Sequence, residues 1–474
     1  LYDFLKPTLL GVASAGKGDE LLYPVILAGG AGSRLWPVSD MQTPKQFLKL
    51  FNGRSLFQNT LVRLEGLAEP ASLRTVCNIS HRARIEAELE ELALPAPNHV
   101  IAEPLGRNTG PAIYLGTRVL FDTDPDAILI VLPADHHVSD IDAFQQVLLE
   151  AVEAARTGAI VTLGIQPTSP ETGYGYIEAS STEVVSPVAR FVEKPNLETA
   201  ITYLTSGSFL WNSGIFIFKA SVMLEEFRSF QPEIVRAVDA WLAGDATAYA
   251  EAPSISVDYA IMEHTRKAAV VRASFGWSDV GSWAAVYDHG EKDNNGNVLS
   301  GNVYTNNTQN SLVRADRRRV AVLGLQDVMV VETRGSVLVC HKDLAQEVGK
   351  VGGTPPDDEA WGYTEHRPWG SFTILASSES FKTKRLDVLP GMRLSLQSHK
   401  RRKEFWIVVT GTARVTRDDQ ILDLVAGETV DIPLGAKHRV ANPGNALLTI
   451  IEVQLGSYFG EDDIIRYQDD FFRT

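Results

Sequence analysis

The feature that most constrains this chain is a change of pattern near residue 290. Before it, short apolar runs alternate with amphipathic stretches. After it, β-type runs follow one another with no long helix pattern between them. The runs at 23–30 (YPVILAGG), 126–136 (DAILIVLPADH) and 158–165 (GAIVTLGI) read as buried strands ending in turn or polar residues. Between the last two, Ile141, Phe144, Val147, Leu148, Ala151, Val152 and Ala155 fall on one helical face, and Gly158 follows as a stop. Strand–helix–strand alternation predicts a mostly parallel sheet covered by helices on both faces. In such sheets ligands bind beyond the carboxyl ends of the strands.

Past 290, SLVRA (311–315), VAVLGL (320–325), VMVVE (328–332) and VLVCH (337–341) are separated by Gly, Asn and Asp, which predicts a few β-helix coils or a small sheet. Residues 349–370, rich in Gly, Pro and acid, read as a linker. Residues 371–456 return to short, regularly spaced strands and predict a small barrel or jelly roll. A chain of 474 residues is too long for one core and implies two or three domains. A net charge of −15 argues against nucleic-acid binding, though a local basic cluster can still hold phosphate. Cys77 and Cys340 are too few for a disulfide framework or a thiolate metal site, which fits a reducing compartment. No apolar run of about 18 residues is present to cross a membrane. The first 22 residues lack a basic leader, so a signal peptide is not expected.

The stretch LAGGAGSRLWP (27–37) carries Gly29, Gly30 and Gly32 directly after a strand, with Arg34 in it and Lys45 beyond it. It matches neither the P-loop nor the dinucleotide fingerprint. Glycines that admit phosphate to backbone N–H groups, with a guanidinium and an ammonium nearby, still read as a phosphate turn. Asp135 in LPADHHV and Asp279 in WSDVGSW stand at strand ends, where a carboxylate can hold Mg²⁺; each alone is equally a cap or turn residue. Glu193 and Lys194 in FVEKP read, by themselves, as an exposed ion pair. TGYGYI (172–177) and WNSGIF (211–216) suit a sugar pocket or a core. In the tail, LQSHKRRKEFW (396–406) presents Gln397, His399 and Glu404, with His438 about 34 residues further on. Two imidazoles, a carboxylate and an amide oxygen suit Zn²⁺ or another divalent metal.

Taken in order, LAGGAGSRLWP…PKQF, EPLGRNTGPAI (103–113), LPADHHV, TGYGYI, FVEKP, WNSGIF and WSDVGSW resemble bacterial mannose-1-phosphate guanylyltransferases. RPWGSF, LSLQSHKRRKEFW, IPLGAKHRVANPG and the segment ending GEDDIIR resemble the cupin domain of the type II bifunctional phosphomannose isomerase/guanylyltransferases. The resemblance implies an α/β nucleotidyltransferase domain with a Rossmann-like mixed sheet (23–290) and a short left-handed β-helix (291–348). A linker (349–370) and an all-β cupin barrel (371–474) would follow. It implies that Gly29, Gly30, Gly32, Arg34 and Lys45 bind nucleotide phosphates, and that Glu103, Arg107 and Asn108 lie near the base or ribose. Asp135 and Asp279 would hold Mg²⁺. Tyr174, Gly175, Glu193, Lys194 and Asn212 would line the mannose-1-phosphate site, with Arg34, Lys45, Asp135, Lys194 and Asp279 as the catalytic set.

The implied reaction is transfer of GMP from GTP to mannose-1-phosphate, giving GDP-mannose for polysaccharide synthesis. The cupin would interconvert mannose-6-phosphate and fructose-6-phosphate, with Arg466 on phosphate or enediolate. Here the chain departs from the family pattern: Arg401 and Phe405 stand where the family has histidines. The competing expectations are a cupin that only senses or assembles, and a glucose-1-phosphate uridylyl- or thymidylyltransferase. Cytoplasmic placement and a homodimer complete the reading.

Overall fold

The computed structural model, which describes residues 21–30, 33–39, 43–94, 99–351 and 364–468, divides into two units. One comprises Leu1–Ala31 and Lys45–Gly281, the other Gly32–Pro44 and Ser282–Thr474.

In the first unit, alternation within single strands sets the layering. Strand β1 (Leu22–Leu27) sends Tyr23 and Val25 to one face and Ile26 to the other; β4 (Ile128–Pro133) sends Leu129 and Val131 one way and Ile128, Ile130 and Leu132 the other. Two separate cores result, one on each side of the sheet, and each fully buried Leu or Ile adds about 1.5–3 kcal/mol. The helix Thr109–Thr123 packs Ile113, Leu115 and Leu120 into the first core. The helix Ile141–Arg156 packs Phe144, Leu148, Ala151, Val152 and Ala155 into the second. Asp140 caps that helix by accepting the Ala143 N–H. Ile141, expected on the buried face, is 43% exposed, because it stands at the first helical position, ahead of the turn that reaches the sheet.

The remaining strands are β2 (Arg74–Asn78), β3 (Val100–Glu103), β5 (Ile160–Ile165), β6 (Tyr176–Ala179), β7 (Val185–Val192), β8 (Phe209–Lys219) and β9 (Ala268–Ala273). Their order is β3-β2-β1-β4-β8-β5-β9-β7-β6, with β6 also pairing with β8. The expectation of a mostly parallel sheet is corrected: β1, β2, β3 and β4 run parallel, as do β5 and β9, but β8 lies antiparallel to β4 and β5, and β7 to β9. The eleven-residue β8 splits the parallel pairs because β6 and β7 return on each other through a short turn instead of a helical crossover. The mixed sheet agrees with the family resemblance.

In the second unit, Val298–Ser300, Leu312–Ala315 and Val328–Glu332 stack in parallel, as do Val303–Asn306 and Val320–Leu323. Val313, Val322 and Val330 fill the coil. The many Asn, Ser and Thr of this stretch have a structural use. Buried Asn297 donates to Thr308 O and accepts from the Ser311 N–H, and Thr308 Oγ1 donates to Val322 O. The turns of a β-helix therefore satisfy their backbone internally.

Eleven further strands form two facing sheets. One has the order β10 (Thr364–Arg367), β11 (Gly370–Ser377), β12 (Phe381–Val388), β19 (Leu448–Gly456), β14 (Arg402–Thr410) and β17 (Thr429–Ile432). The other has β16 (Gln420–Val425), β15 (Thr412–Arg417), β18 (His438–Ala441), β13 (Leu396–His399) and β20 (Ile464–Gln468). Trp406, Val408, Val415, Val440 and Ile450 pack between them. Residues 364–367, read as linker, are the edge strand β10, paired with β11.

Gly301 has φ +84°, and a methyl there would lie 1.8 Å from Ala315 O; Gly324 has φ +68° with open space around it. Gly324→Ala is expected to cost only the left-handed strain, about 1–2 kcal/mol. Gly301→Ala must also move backbone, so its fall in melting temperature by calorimetry should be clearly the larger.

Candidate active sites

Strand order reverses between β1 and β4, the position where an open α/β sheet parts its loops to admit a ligand. Gly29 and Gly30 follow β1 and Asp135 follows β4. A cavity of about 380 Å³ opens there, lined by Gly29, Gly30, Glu103, Arg107, Asn108, Asp135, Tyr174, Gly175, Glu193, Asn212 and Asp279, among others. Eleven expected residues thus converge from well-separated parts of the chain. Gly32 lies outside the described residues. Arg34, Lys45 and Lys194 are not part of the lining. Arg34 is exposed in the turn Ser33–Leu35, which belongs to the second unit. That turn is held by buried Leu35 and by the Trp283 indole N–H on Trp36 O.

The glycines serve here by their size. Gly29 and Gly30 lack the positive φ that would demand glycine; a methyl on Gly30 would meet nothing within 4 Å, and one on Gly29 would meet only Glu103 Oε2 at 3.8 Å. The missing side chains leave room for a ligand against the backbone. Gln46, which carried no role in the sequence reading, holds this turn: its Nε2 donates to Ala28 O and Gly30 O, each at 3.1 Å.

Lys45 is buried and reaches the cavity wall from behind. Its ammonium lies 2.8 Å from Asp135 Oδ2 and donates to Asp279 O. Burial would lift the Asp135 carboxyl, but the Lys45 and His136 charges oppose it and hold it at about 2. Asp135 therefore stays ionised, and it caps no helix, since Asp140 does so. Burial pushes His136 down to about 4 against the pull of Asp135, and its Nδ1 accepts the Trp277 indole N–H at 3.2 Å. Buried Arg63, also absent from the sequence reading, donates to His136 O and supports this corner from below.

Asp279 is oriented by three contacts. Tyr174 OH donates to its Oδ1 at 2.7 Å, the Gly281 N–H donates to the same oxygen, and its carbonyl takes Lys45. Next to it, fully buried Val280 has φ +50°. A β-branched residue in that region costs on the order of 1–3 kcal/mol, the kind of strain that collects at functional sites. Asp135 and Asp279 together offer hard oxygen donors on one wall, a set that suits a magnesium ion.

The FVEKP pair splits. Glu193 is buried against the cavity while Lys194 is half exposed, their charges 2.8 Å apart. A methyl on Gly175 would approach Glu193 Oε2 to 2.5 Å, so the glycine makes room for that carboxylate. Asn212 accepts from Thr162 Oγ1 and donates to Asp258 Oδ1 at 2.9 Å. Asp258 also lines the cavity, and burial together with the Glu193 charge raises it to about 7. Sequence reasoning missed it; the signal present was a lone carboxylate in the apolar run VDYAIM. Glu103 is buried too, with Tyr249 OH donating to its Oε1. Burial lifts Glu103 to about 7.

The second site lies in the cupin-type sheets. Along β14, Arg402, Glu404 and Trp406 point inward while Arg401 (just before it), Lys403 and Phe405 point out. The two departures from the family pattern, Arg401 and Phe405, thus fall on the outer face, where Arg401 lies over the Tyr458 ring. Inside, His399 Nε2 is 3.0 Å from Glu404 Oε1, and His438 Nε2 is 3.5 Å from Glu404 Oε2. All three are buried, and their ligand atoms lie within 4.8 Å of one another. Both imidazole Nε2 atoms lack a hydrogen bond of acceptable geometry, yet face the same carboxylate, which is what a divalent metal would use. His438 Nδ1 is fixed by Ala436 O at 2.9 Å, leaving Nε2 for a ligand role. Gln397 pairs across the strands with His438 and with Arg466. Gln397, Glu404 and Arg466 line one small cavity of about 60 Å³.

Three family profiles match in succession: nucleotidyl transferase at residues 23–296, MannoseP isomerase/GMP-like beta-helix domain at 301–352, and mannose-6-phosphate isomerase C-terminal at 356–469. The chain is 44% identical to the xanthan biosynthesis protein XanB of Xanthomonas campestris pv. campestris (strain B100), covering 96% of this chain and 99% of that one. It is 44% identical to the alginate biosynthesis protein AlgA of Pseudomonas aeruginosa, covering 96% and 98%. With the mannose-1-phosphate guanylyltransferase of Escherichia coli (strain K12) the figures are 42%, 96% and 99%. A solved mannose-1-phosphate geranyltransferase of Thermus thermophilus is 38% identical, with a TM-score of 0.64, covering 70% of this chain and 98% of its own.

The raised Glu103 carboxyl has a stability consequence. Between pH 4.5 and about 7 the folded protein keeps a proton there that the unfolded chain has lost. Its contribution to stability is full below pH 4.5 and gone above about 7. Glu103→Gln should flatten that part of the curve of melting temperature against pH, measured by calorimetry beside the parent.

Proposed function

The chain belongs to the nucleotidyltransferase family, in the branch that joins a mannose-1-phosphate guanylyltransferase to a mannose-6-phosphate isomerase domain, and we propose that its two cavities are the two active sites. It transfers GMP from GTP to mannose-1-phosphate, releasing pyrophosphate and GDP-mannose for polysaccharide synthesis. It also interconverts mannose-6-phosphate and fructose-6-phosphate.

The observation that carries the transferase assignment is Lys45, whose ammonium ties the Asp135 carboxylate to the Asp279 carbonyl on the cavity wall. A phosphate oxygen of mannose-1-phosphate attacks the α-phosphorus of GTP, and the bond to the departing pyrophosphate breaks. No protein nucleophile is needed, so catalysis is positioning and charge neutralisation. Lys45 and Lys194 supply cationic side chains. Gly29 and Gly30 let phosphate lie against backbone; Glu103, Arg107 and Asn108 take the base and ribose. Tyr174, Gly175, Glu193 and Asn212 take the sugar, and Asp258 joins them.

Enzymes of both families work with divalent metal ions. Asp135 and Asp279 would hold magnesium, which offsets charge on the phosphates. Gln397, His399, Glu404 and His438 would hold zinc or another divalent metal, which polarises the sugar carbonyl. Arg466, at the mouth of that cavity, serves the phosphate or the enediolate. No described helix is long and apolar enough to cross a membrane. The substrates support a cytoplasmic setting. The exposed Leu323, Val337 and Val339 on the β-helix support a homodimer.

Incubating the protein with GTP, Mg²⁺ and mannose-1-phosphate, against UTP, dTTP and glucose-1-phosphate, tests the transferase reading; GDP-mannose must be the preferred product. Lys45→Ala should lower guanylyl transfer by about 10²–10³-fold, the usual effect of removing one fixed charge-stabilising donor. Conversion of fructose-6-phosphate by the same preparation should be unchanged. Full guanylyl turnover by that variant would remove Lys45 from the mechanism.

A further inference from the structure

Three carboxylates line the cupin cavity among the described residues: Glu404, Glu452 and Glu461. Glu404 is engaged by His399 and His438 and takes the Trp406 indole N–H at 3.0 Å. Glu461 stands half exposed, paired with Arg466 at 3.3 Å. Glu452 is left for another task. It is 5% exposed on β19, and its Oε1 accepts from Gln454 Nε2 at 2.8 Å. The same amide nitrogen donates to Glu404 Oε1 at 3.1 Å, so one side chain spaces the two carboxylates. Lys384 stands opposite Glu452 in the strand register, and buried Arg402 lines the same cavity. A second buried carboxylate beside Glu404 would be costly without such cations. A stabilising role alone does not account for it, since apolar residues of similar volume are often as stable or more so at such a position.

We propose that Glu452 is the base that carries the proton between C1 and C2 during isomerisation; the assignment rests on the isomerase reading of this cavity. At about 60 Å³ the cavity is far smaller than a pocket that encloses a whole ligand. Only the reacting end of the sugar enters, and the phosphate stays at the mouth near the partly exposed Arg367 and Arg466. With O1 and O2 toward the Gln397, His399, Glu404 and His438 set, C1 and C2 face Glu452. Glu452 takes the hydrogen of C2 from the open-chain aldose as a proton. The C–H electron pair becomes the C1–C2 double bond while O1 gains a proton. The proton on Glu452 exchanges with solvent, Glu452 then delivers a proton to C1, O2 releases one, and the C2 carbonyl forms. Nothing is oxidised or reduced overall, and the carboxylate is regenerated.

The test uses the full chain, loaded with zinc, and mannose-6-phosphate deuterated at C2, in ordinary water. The parent should form fructose-6-phosphate and lose deuterium to solvent. Glu452→Gln should slow conversion by about 10²–10⁴-fold, the usual worth of a positioned base, and stop label loss. Glu452→Asp should recover part of both. Bound zinc, by elemental analysis, and guanylyl transfer should match the parent in both variants. Conversion by Glu452→Gln at more than a tenth of the parent rate would overturn the assignment, as would loss of its zinc. Full retention of deuterium by the parent would overturn it in favour of a hydride shift. A parent that converts nothing under these conditions would instead overturn the isomerase reading, and the assignment with it.

Discussion

Everything in the transferase cavity depends on where the Lys45 ammonium sits. It joins three segments that lie far apart in the chain: its own short helix Lys45–Phe47, the end of β4 and the strained turn at Asp279. Removing Lys45 leaves the Asp135 carboxylate without its cation, at a cost below the roughly 3–5 kcal/mol of a fully buried pair, because a third of the Asp135 side chain is exposed. The arrangement thus couples stability to function. The cation that holds the walls together also keeps Asp135 ionised and adds positive charge beside the cavity. Tyr174, Gln46 and Arg63 act one layer further out, by hydrogen bonds that fix Asp279, the glycine turn and His136.

The cupin site follows the same logic with other chemistry. Two imidazoles and a carboxylate lie so close that their proximity asks for a cation between them. Burial lowers His399, and the paired imidazoles hold the Glu404 carboxyl well below its usual range against the effect of burial. The site is built by pleat: each inward residue of β14 is two positions from the next. Substitutions at Arg401 and Phe405 can therefore leave the ligand set intact.

Much of this was legible beforehand for an identifiable reason. The Ile141–Arg156 helix, the β-helix runs and the tail strands each carry their own apolar period, and a period is a local property. The glycine turn and the Gln397–His399–Glu404 spacing are local as well. Asp258, Gln46, Arg63 and Glu452 were not legible, since each acts through a partner far away in the chain. Ile141 was misplaced by a period that does not record where a helix starts. The antiparallel β8 was missed because a strand's pattern does not state which neighbour it joins.

The sequence by itself determined which residues face a core, where the backbone turns and what donor chemistry is present, because side-chain period, glycine placement and residue type act over a few positions. The tertiary structure alone decided which charges meet. Lys45 finds Asp135 and Asp279, and Gln454 spaces Glu452 from Glu404, only after strand order and register have been set. Electrostatic attraction and desolvation depend on distance through space, and distance along the chain says little about that.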